Sequence, residues 1–307
     1  QDFMEGSYGF RPGRSVHQAL EALWHGVMKM GGCWLLEVDI KSYFDTVSHQ
    51  HLREFLSKRV RDGVIKRTIG KWLKAGVMHD GAIHYPLQGT PQGGVLSPLL
   101  SNVYLHEVLD KWFEQQVKPR LNGKAKLIRF ADDYVILFTS ERDARRVQTV
   151  LPKRFGKYDL ELHETKTRLV DFNRPKPPLR KSKTFVFLGF THYWGKSRKG
   201  GRVVQRQTAS KKLKESVQRI YRWCKEHRHD SIVDQHRALC RKIFGHYGFY
   251  GITFNMRSLM RFYNQVKRAW RKWLNRRSRN NDMPWYRFNR LLERYPLPRP
   301  RIVHQYV

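Results

Sequence analysis

Cysteine is scarce: Cys33, Cys224 and Cys240 are the only three in 307 residues, and they form neither a CxxC pair nor a disulfide framework. That usage fits a reducing compartment. Cys224, His227, His229, His236, Cys240 and His246 crowd one stretch, yet at no spacing that zinc sites use. No apolar run approaches the ~18 residues of a membrane span, and no charged-then-apolar leader opens the chain. With Gln1 instead of Met at the start, the expectation is a cytoplasmic protein with no membrane contact whose N-terminus is missing. Acid is the scarcest charge, with 26 Asp+Glu against 60 Lys+Arg and a formal net charge of +34. Such an excess implies a polyanionic partner. An apolar content of 40%, with 9 Trp and 17 Phe, excludes a merely basic disordered tail, and the length suggests about two domains.

In a chain so short of carboxylates, two adjacent ones stand out. KLIRFADDYVILF, Lys126 to Phe138, has two apolar arms rich in β-branched and aromatic residues around Asp132 and Asp133. The pattern predicts a strand, a tight turn and a strand. Two neighbouring carboxylates at a hairpin tip can project into one volume, where they repel unless a cation joins them. Mg²⁺ is commonly held by one or two carboxylates with substrate phosphates, which makes this stretch a candidate for two-metal phosphoryl transfer. A solvated Asp-Asp turn is the plainer alternative.

Other stretches add candidates in chain order. SYGFRPGRSVHQAL is a loop running into a helix capped by Ser15, with Arg11 and Arg14 placed either for phosphates, which the overall charge favours, or to tie down the loop. CWLLEVDIKSYFDTVSH predicts a strand from Cys33 to Asp39, a carboxylate either delivered to a cleft at the sheet's end or serving as a plain turn or cap residue, then a turn holding Phe44 and Asp45 and a helix from Ser48. Helical spacing runs from Val64 to Ala75, and Asp80-Gly81 marks a hairpin between Val77 and Tyr85. QGTPQGGVLSPLLSN combines Gly89, Gly93 and Gly94 with a helix expected to start at Ser97 as N-cap and Pro98 as its first residue; such an entry suits a phosphate or nucleobase. A charged helix, Glu141 to Lys157, follows the Asp-Asp stretch, and Lys166 precedes a strand, a place where most lysines are simply solvated. After the proline-rich Arg174 to Ser182, TFVFLGFTHYWGKSRKGGRVV predicts a hairpin with a basic tip.

Composition then shifts. From Gln207 to the end there are 24 Lys+Arg and 6 Asp+Glu, in helical patterns. Leu213, Val217, Ile220 and Cys224 form one apolar stripe. Met256, Leu259, Tyr263, Val266, Trp270 and Trp273 form another, capped by Asn255, with Arg257, Arg261, Arg268, Arg271 and Lys272 on the face opposite. One side packs and the other can grip a nucleic-acid backbone.

Taken together, SYGFRPGRSVHQA, VDIKSYFDTVSH, QGTPQGGVLSPLLSN, FADD, Leu160 to Thr167 and FVFLGF resemble, in content and order, the motifs of bacterial group II intron reverse transcriptases. HYGFYG and WRKWLNRRS look like the thumb or maturase region of the same family. Phe130 stands where the commoner motif is YADD. The resemblance implies an α+β right-hand polymerase: partial fingers and a palm, an antiparallel sheet with packed helices, over 1–206, and an α-helical thumb/maturase domain over 207–307. It implies that Asp39, Asp132 and Asp133 hold two Mg²⁺ ions, with Mn²⁺ as a substitute, and that Lys166 protonates the leaving pyrophosphate. Phe44 matches the gate against a ribose 2′-OH, Gln92 and with it Gly93 the nucleotide-site loop, and Phe187, Leu188 and Gly189 the primer grip. Implied partners are intron RNA, an RNA template, a DNA or RNA primer and dNTPs, in a bacterial cytoplasm; a homodimer is compatible. No cysteine-paired endonuclease module follows, so no DNA cleavage is expected. Two alternatives stay open: a catalytically silent RNA-binding splicing factor, and a related reverse transcriptase serving phage defence.

Overall fold

The computed structural model describes residues 3–74, 77–79, 82–84, 88–90, 96–175, 183–197, 199–277 and 282–305. They fall into two compact units, Gln1–Leu188 and Gly189–Val307. Among the described residues no helix is long and apolar enough to cross a membrane.

In the first unit, helix α1 (Val16–Met30) opens with a capping box. Ser15 accepts from the Gln18 N–H, Gln18 accepts from the Ser15 N–H, and Gly31 closes the helix at φ 70°. Strand β1 (Gly32–Val38) ends one residue earlier than expected, leaving Asp39 just beyond it. Short helix α2 (Tyr43–Thr46) occupies the expected turn, and α3 (His49–Ser57) and α4 (Gly63–Leu73) follow. β2 (Val77–His79) and β3 (Ala82–His84) pair antiparallel, as the Asp80-Gly81 signal predicts, although that dipeptide lies outside the described residues.

Helix α5 (Ser97–Leu105) begins with Ser97 inside it, not capping it, and Leu96 takes the N-cap place without a side-chain bond. The chain then runs on through π-helical turns at His106–Asp110 and Phe113–Val117. Strands β4 (Ala125–Phe130) and β5 (Asp133–Phe138), helix α6 (Glu141–Gly156), and strands β6 (Arg168–Asn173) and β7 (Phe185–Phe187) complete the unit. The four-stranded sheet has the order β4-β5-β1-β6, every pair antiparallel, with Val38 opposite Tyr134 and Glu37 opposite Arg168. α1 packs on β1 and β4, while α6 packs on β1, β5 and β6, so β5 is buried from Tyr134 to Phe138. Such double coverage explains why both of its faces are apolar.

The N-terminal loop runs along the free edge of β4. Tyr8 N–H donates to Arg129 O and Arg129 N–H to Gly6 O, each at 2.8 Å. This approach demands glycine. A Cβ on Gly9 would sit 2.3 Å from the Ala131 nitrogen, and one on Gly6 would sit 2.5 Å from Leu127 O.

Beneath the loop lies a guanidinium that the sequence reading did not single out. Arg129 is fully buried and uses all five of its donors: Nε and Nη2 to Asp110 (2.8 and 2.6 Å), Nη1 to Asn102 Oδ1 and Ala131 O (2.9 Å each), and Nη2 to Ser7 Oγ (2.9 Å). Four separate stretches of chain are joined at one cation.

The second unit contains the predicted hairpin, β8 (Phe190–Lys196) with β9 (Arg202–Thr208), closed by Ser197 N–H to Gly201 O at 2.7 Å. Helices α7 (Ser210–Glu226), α8 (Ile232–Tyr250), α9 (Met256–Leu274) and α10 (Trp285–Arg294) follow. The α9 stripe is buried at Leu259, Phe262, Val266, Trp270 and Trp273, whereas Met256 is 40% exposed and Tyr263 only partly covered. Asn255 precedes α9 as expected but makes no side-chain cap. Its amide instead bonds Thr208 N, Thr208 Oγ1 and Tyr250 O, all at 2.8 Å, bolting the helix to the hairpin.

The Arg129–Asp110 pair gives a stability prediction. Burial pushes the Asp110 carboxyl up, but the charge and hydrogen bonds of Arg129 outweigh it and hold the group below its usual range. Arg129→Met would strand that buried carboxylate and should cost about 3 to 5 kcal/mol in urea unfolding. Adding Asp110→Leu should restore most of the loss. Equal damage in single and double variants would mean that packing, not charge, is what the site depends on.

Candidate active site

The end of β1 and the tip of the β4–β5 hairpin meet at one rim of the sheet. With Val38 level with Tyr134 across the β1/β5 pair, Asp39 is carried to the height of the hairpin turn. That turn is not Asp132-Asp133, as the sequence suggested. Phe130 pairs with Asp133, so the two-residue tip is Ala131-Asp132, and Asp133 begins β5 with its side chain exposed. Ala131 takes φ 56°, a conformation that disfavours side-chain-bearing residues, and its carbonyl is held by Arg129. The strained tip therefore rests on the buried guanidinium.

Asp132 is half-buried, and its carboxyl is pushed up, first by burial and further by the negative charge of Asp39. The two carboxylates lie close enough to repel. Lys166 answers part of that charge: its Nζ lies 2.9 Å from Asp39 Oδ2. Backbone placement explains how a residue so distant in sequence arrives there. Ile40 bridges Leu162, His163 N–H donates to Asp39 O at 2.8 Å, and the chain turns back with Lys166 N–H on His163 O. Sequence alone left Lys166 an ordinary solvated lysine; only the resemblance gave it a role.

Among the described residues, no three Asp, Glu, His or Cys side chains stand close enough together to form a ready metal cluster. The donor chemistry nevertheless fits a hard divalent cation, because two mutually repelling carboxylates beside an open rim are what Mg²⁺ takes together with substrate phosphates.

Phe44 sits in α2, half-buried, edge-on to Tyr43 at 5.4 Å. Its backbone is strapped to the next loop: Thr90 N–H donates to Phe44 O at 2.6 Å and Gly89 N–H to Val47 O at 2.8 Å. Gly89, at φ 89°, is needed here, since a Cβ would fall 2.8 Å from the carbonyl oxygens of Phe44 and Asp45. The loop carrying Gln92 and Gly93 thus departs from beside Phe44, although those two residues and Gly94 lie outside the described residues. Arg11, expected against phosphate, turns inward instead. It donates to the carbonyls of Met4 (2.8 Å), Ser7 (2.6 Å) and Phe3 (3.3 Å), tying down its own loop.

Of the expected primer-grip residues, Phe187 is buried, Leu188 takes φ 48° and Gly189 φ 81°, a turn with two left-handed residues in succession. On α9, Arg257, Arg261, Arg268 and Lys272 are exposed, with Lys272 over the Tyr221 ring at 4.9 Å. Arg271 differs from the rest. It lies over Trp285 at 4.5 Å and donates to Met283 O at 2.6 Å, so it holds the chain that follows α9.

The sequence signal that could have exposed Arg129 was a charge in the middle of an apolar strand, the R of KLIRF. An arginine there is admissible only with a full set of acceptors.

Residues 1–192 match the sequence model of the family described as reverse transcriptase (RNA-dependent DNA polymerase). Over 169 residues the chain is 37% identical to the group II intron-encoded protein LtrA of Lactococcus lactis subsp. cremoris, which takes in 54% of this chain and 27% of that protein. Over 133 residues it is 41% identical to protein YkfC of Escherichia coli strain K12, covering 42% of this chain and 34% of that one. The matches thus span 27% and 34% of those relatives' lengths. Among solved structures, apo telomerase from Candida tropicalis aligns with a TM-score of 0.50 at 11% identity, over 94% of this chain and 53% of that one, a likeness of fold alone. Because the family match takes in well over half of the chain, the protein belongs to the reverse transcriptase family, with a mixed α/β fold of that kind, and is related to group II intron-encoded proteins.

Proposed function

We propose that the chain is the RNA-directed DNA polymerase of a group II intron, and that it also binds the intron RNA and assists its splicing. The observation that carries this reading is the meeting of Asp39, Asp132 and Lys166 at one rim of the antiparallel sheet. A silent RNA-binding scaffold would have no use for repelling carboxylates turned toward a polyanion. In this reading the four-stranded sheet is the palm, the N-terminal loop and the elements around β2–β3 belong to partial fingers, and the catalytic region extends to Arg206. The helices over 207–307 are the thumb/maturase domain.

Asp39, Asp132 and Asp133 would hold two Mg²⁺ ions, with Mn²⁺ as a substitute. When bound, such ions supply activation of a primer 3′-OH and neutralisation of the departing pyrophosphate. The protein's own part is to position the carboxylates. Arg129 fixes the hairpin tip, and β1 fixes Asp39. Lys166, paired with Asp39, would stand beside a leaving phosphate held at that carboxylate and would donate a proton to it. Phe44 presents a ring next to the strapped loop, where a nucleotide's sugar would lie, and excludes ribose by clash, a discrimination made by repulsion and not by added attraction. Gln92 and Gly93 would line that nucleotide. Phe187, Leu188 and Gly189 would hold the primer terminus. Arg257, Arg261, Arg268 and Lys272 would meet phosphates of the template, primer or intron RNA.

Two outcomes test the reading. The folded state raises the Asp132 carboxyl pKa, so the folded protein holds that proton more tightly than the unfolded chain. Stability linked to it is therefore full at low pH and is lost as pH rises through the raised value. Asp132→Asn should then raise the melting temperature at pH 7 in EDTA, lose that gain in acid, and still abolish primer extension on an RNA template. Extension comparable to that of the unaltered chain would sink the metal-ligand role.

For sugar choice, Phe44→Val should raise ribonucleotide over deoxynucleotide incorporation by about tenfold or more, each tenfold being worth ~1.4 kcal/mol of clash. The ring is half-buried, so its loss should cost less than the ~3 kcal/mol of a fully buried phenylalanine. An unchanged ratio with a lowered melting point would make Phe44 a packing residue only.

A further inference from the structure

Two glycines stand in the last turns of α8. Gly245 and Gly248 lie three residues apart on one face, and a Cβ built on either meets nothing within 4 Å. Glycine inside a helix is destabilising relative to alanine; the His304 ring meets the Gly248 carbonyl at 2.7 Å, whereas the space at Gly245 is open. Gly245 lines a cleft of about 450 Å³ beside α7 and α9, a size suited to a small ligand. Arg219 from α7 and Lys242 from α8 border it, and among the described residues neither pairs with a carboxylate. Arg219 only touches Ser216 Oγ at 3.3 Å, and Lys242 lies over the Trp223 ring. The nearby Glu215 is taken by Lys212.

Phe249, Tyr250 and Phe262 stand around His246, and Ser216 and Ile220 complete the lining. His246 is 8% exposed and is clasped between Phe262, stacked at 3.6 Å, and Tyr250 at 4.7 Å. Its Nε2 is buried with no hydrogen-bond partner. Burial and, after it, the charge of Arg219 hold the imidazole down at about 4, so the ring is neutral at ordinary pH. A neutral ring with an unmet polar atom, two cations without a carboxylate partner among the described residues, aromatic side chains and an open place at Gly245 describe one kind of guest. Orphaned polar groups of this sort call for something that completes them.

We propose that this cleft is a nucleoside-phosphate subsite. Arg219 and Lys242 take the phosphate, Phe249 and Tyr250 lie against the sugar and base, and Gly245 lets the guest approach the α8 backbone. It is built from residues of the second unit alone and shares none with the carboxylate rim, and it stands whether or not that rim polymerises DNA.

The test is binding of adenosine 5′-monophosphate to the full chain in EDTA, against adenosine and inorganic phosphate. The nucleotide should bind about tenfold or more tighter than either fragment, since both halves of the cleft must act together. Gly245→Leu adds a side chain where there is open space, so it should keep or raise the melting temperature while weakening nucleotide binding by about tenfold. Arg219→Ala and Lys242→Ala should each weaken it in the same direction. Competition by a short single-stranded oligouridylate identifies the source: displacement means that a strand supplies the nucleotide, no displacement means a free one, and either upholds the subsite. A folded Gly245→Leu protein that binds the nucleotide unchanged would overturn the proposal, as would binding no tighter than phosphate alone. Primer extension by the same preparations reports separately on the polymerase reading, which fails or holds at Asp132 without altering this result.

Discussion

The structure of the first unit depends on one buried cation. Arg129 has no exposure to solvent, and an isolated charge in that position would be prohibitively costly, so every one of its donors must find an acceptor. The acceptors it finds belong to the N-terminal loop, α5, the π-helical turn and the hairpin tip. The requirement works in both directions: the fold satisfies the guanidinium, and the guanidinium fixes the spacing of the four stretches. Asp110 sits in a π turn, a local widening of helix geometry found often at functional sites, and that turn presents its two oxygens to Nε and Nη2. Because one of the five bonds ends on Ala131, the pair also fixes the place from which Asp132 projects.

A scarcity of acid shapes the candidate site in a second way. With 26 carboxylates against 60 cations, almost any acid in this chain could be neutralised by a neighbour, and several are. Glu37 takes Arg168, Glu161 takes Lys41, and Glu107 takes both Lys58 and Lys111. Asp132 stands apart, since the charge acting on it most after burial and its own backbone is a like one, from Asp39. Natural stability would be better served by a lysine or an amide at that tip. A fold that keeps the repulsion, and supports it on a strained alanine and a buried ion pair, accepts a cost at that point, as functional sites commonly do.

Much of this was legible in the sequence, for reasons that differ from element to element. The β4–β5 hairpin and the β8–β9 hairpin follow from β-branched runs broken by turn residues. The cap of α1 is a local hydrogen-bond pattern and was readable as such. Registers were not readable in the same way: placing the turn at Ala131-Asp132 depends on Phe130 pairing with Asp133, a cross-strand fact. Ser97 looked like a cap, but Leu96 already adopts helical angles, so the helix begins before the serine can cap it. Arg11 looked like a phosphate ligand by composition, whereas three nearby carbonyls decide its direction. The composition boundary at Gln207 falls within β9, because charge reports the surface that a segment presents, whereas the compact units, parting at Leu188 and Gly189, report how the chain packs. The stripe on α9 was right in period and slightly wrong in phase, since Phe262 and not Tyr263 is the ring that is fully buried.

Lys166 shows how the remaining part of the site can be both stable and open to change. An exposed lysine–carboxylate pair contributes little to folding, on the order of 0 to 1 kcal/mol, because solvent screens it and the long side chain loses freedom. Its side chain is 60% exposed, so the contact with Asp39 is inexpensive to break. The backbone bonds that bring the Leu160–Thr167 segment alongside Asp39 are a different matter: they pair Ile40 with Leu162 and hold His163 on Asp39 irrespective of the side chain's state. The result is a cation that is kept within reach by the fold but only lightly bound to its carboxylate. A stronger partner for Asp39, whether a divalent ion or a guanidinium, could take its place without disturbing the sheet, and the displaced ammonium would remain beside whatever anion accompanied that partner. Weakness of the side-chain contact and firmness of the backbone contact are therefore complementary requirements on the same eight residues.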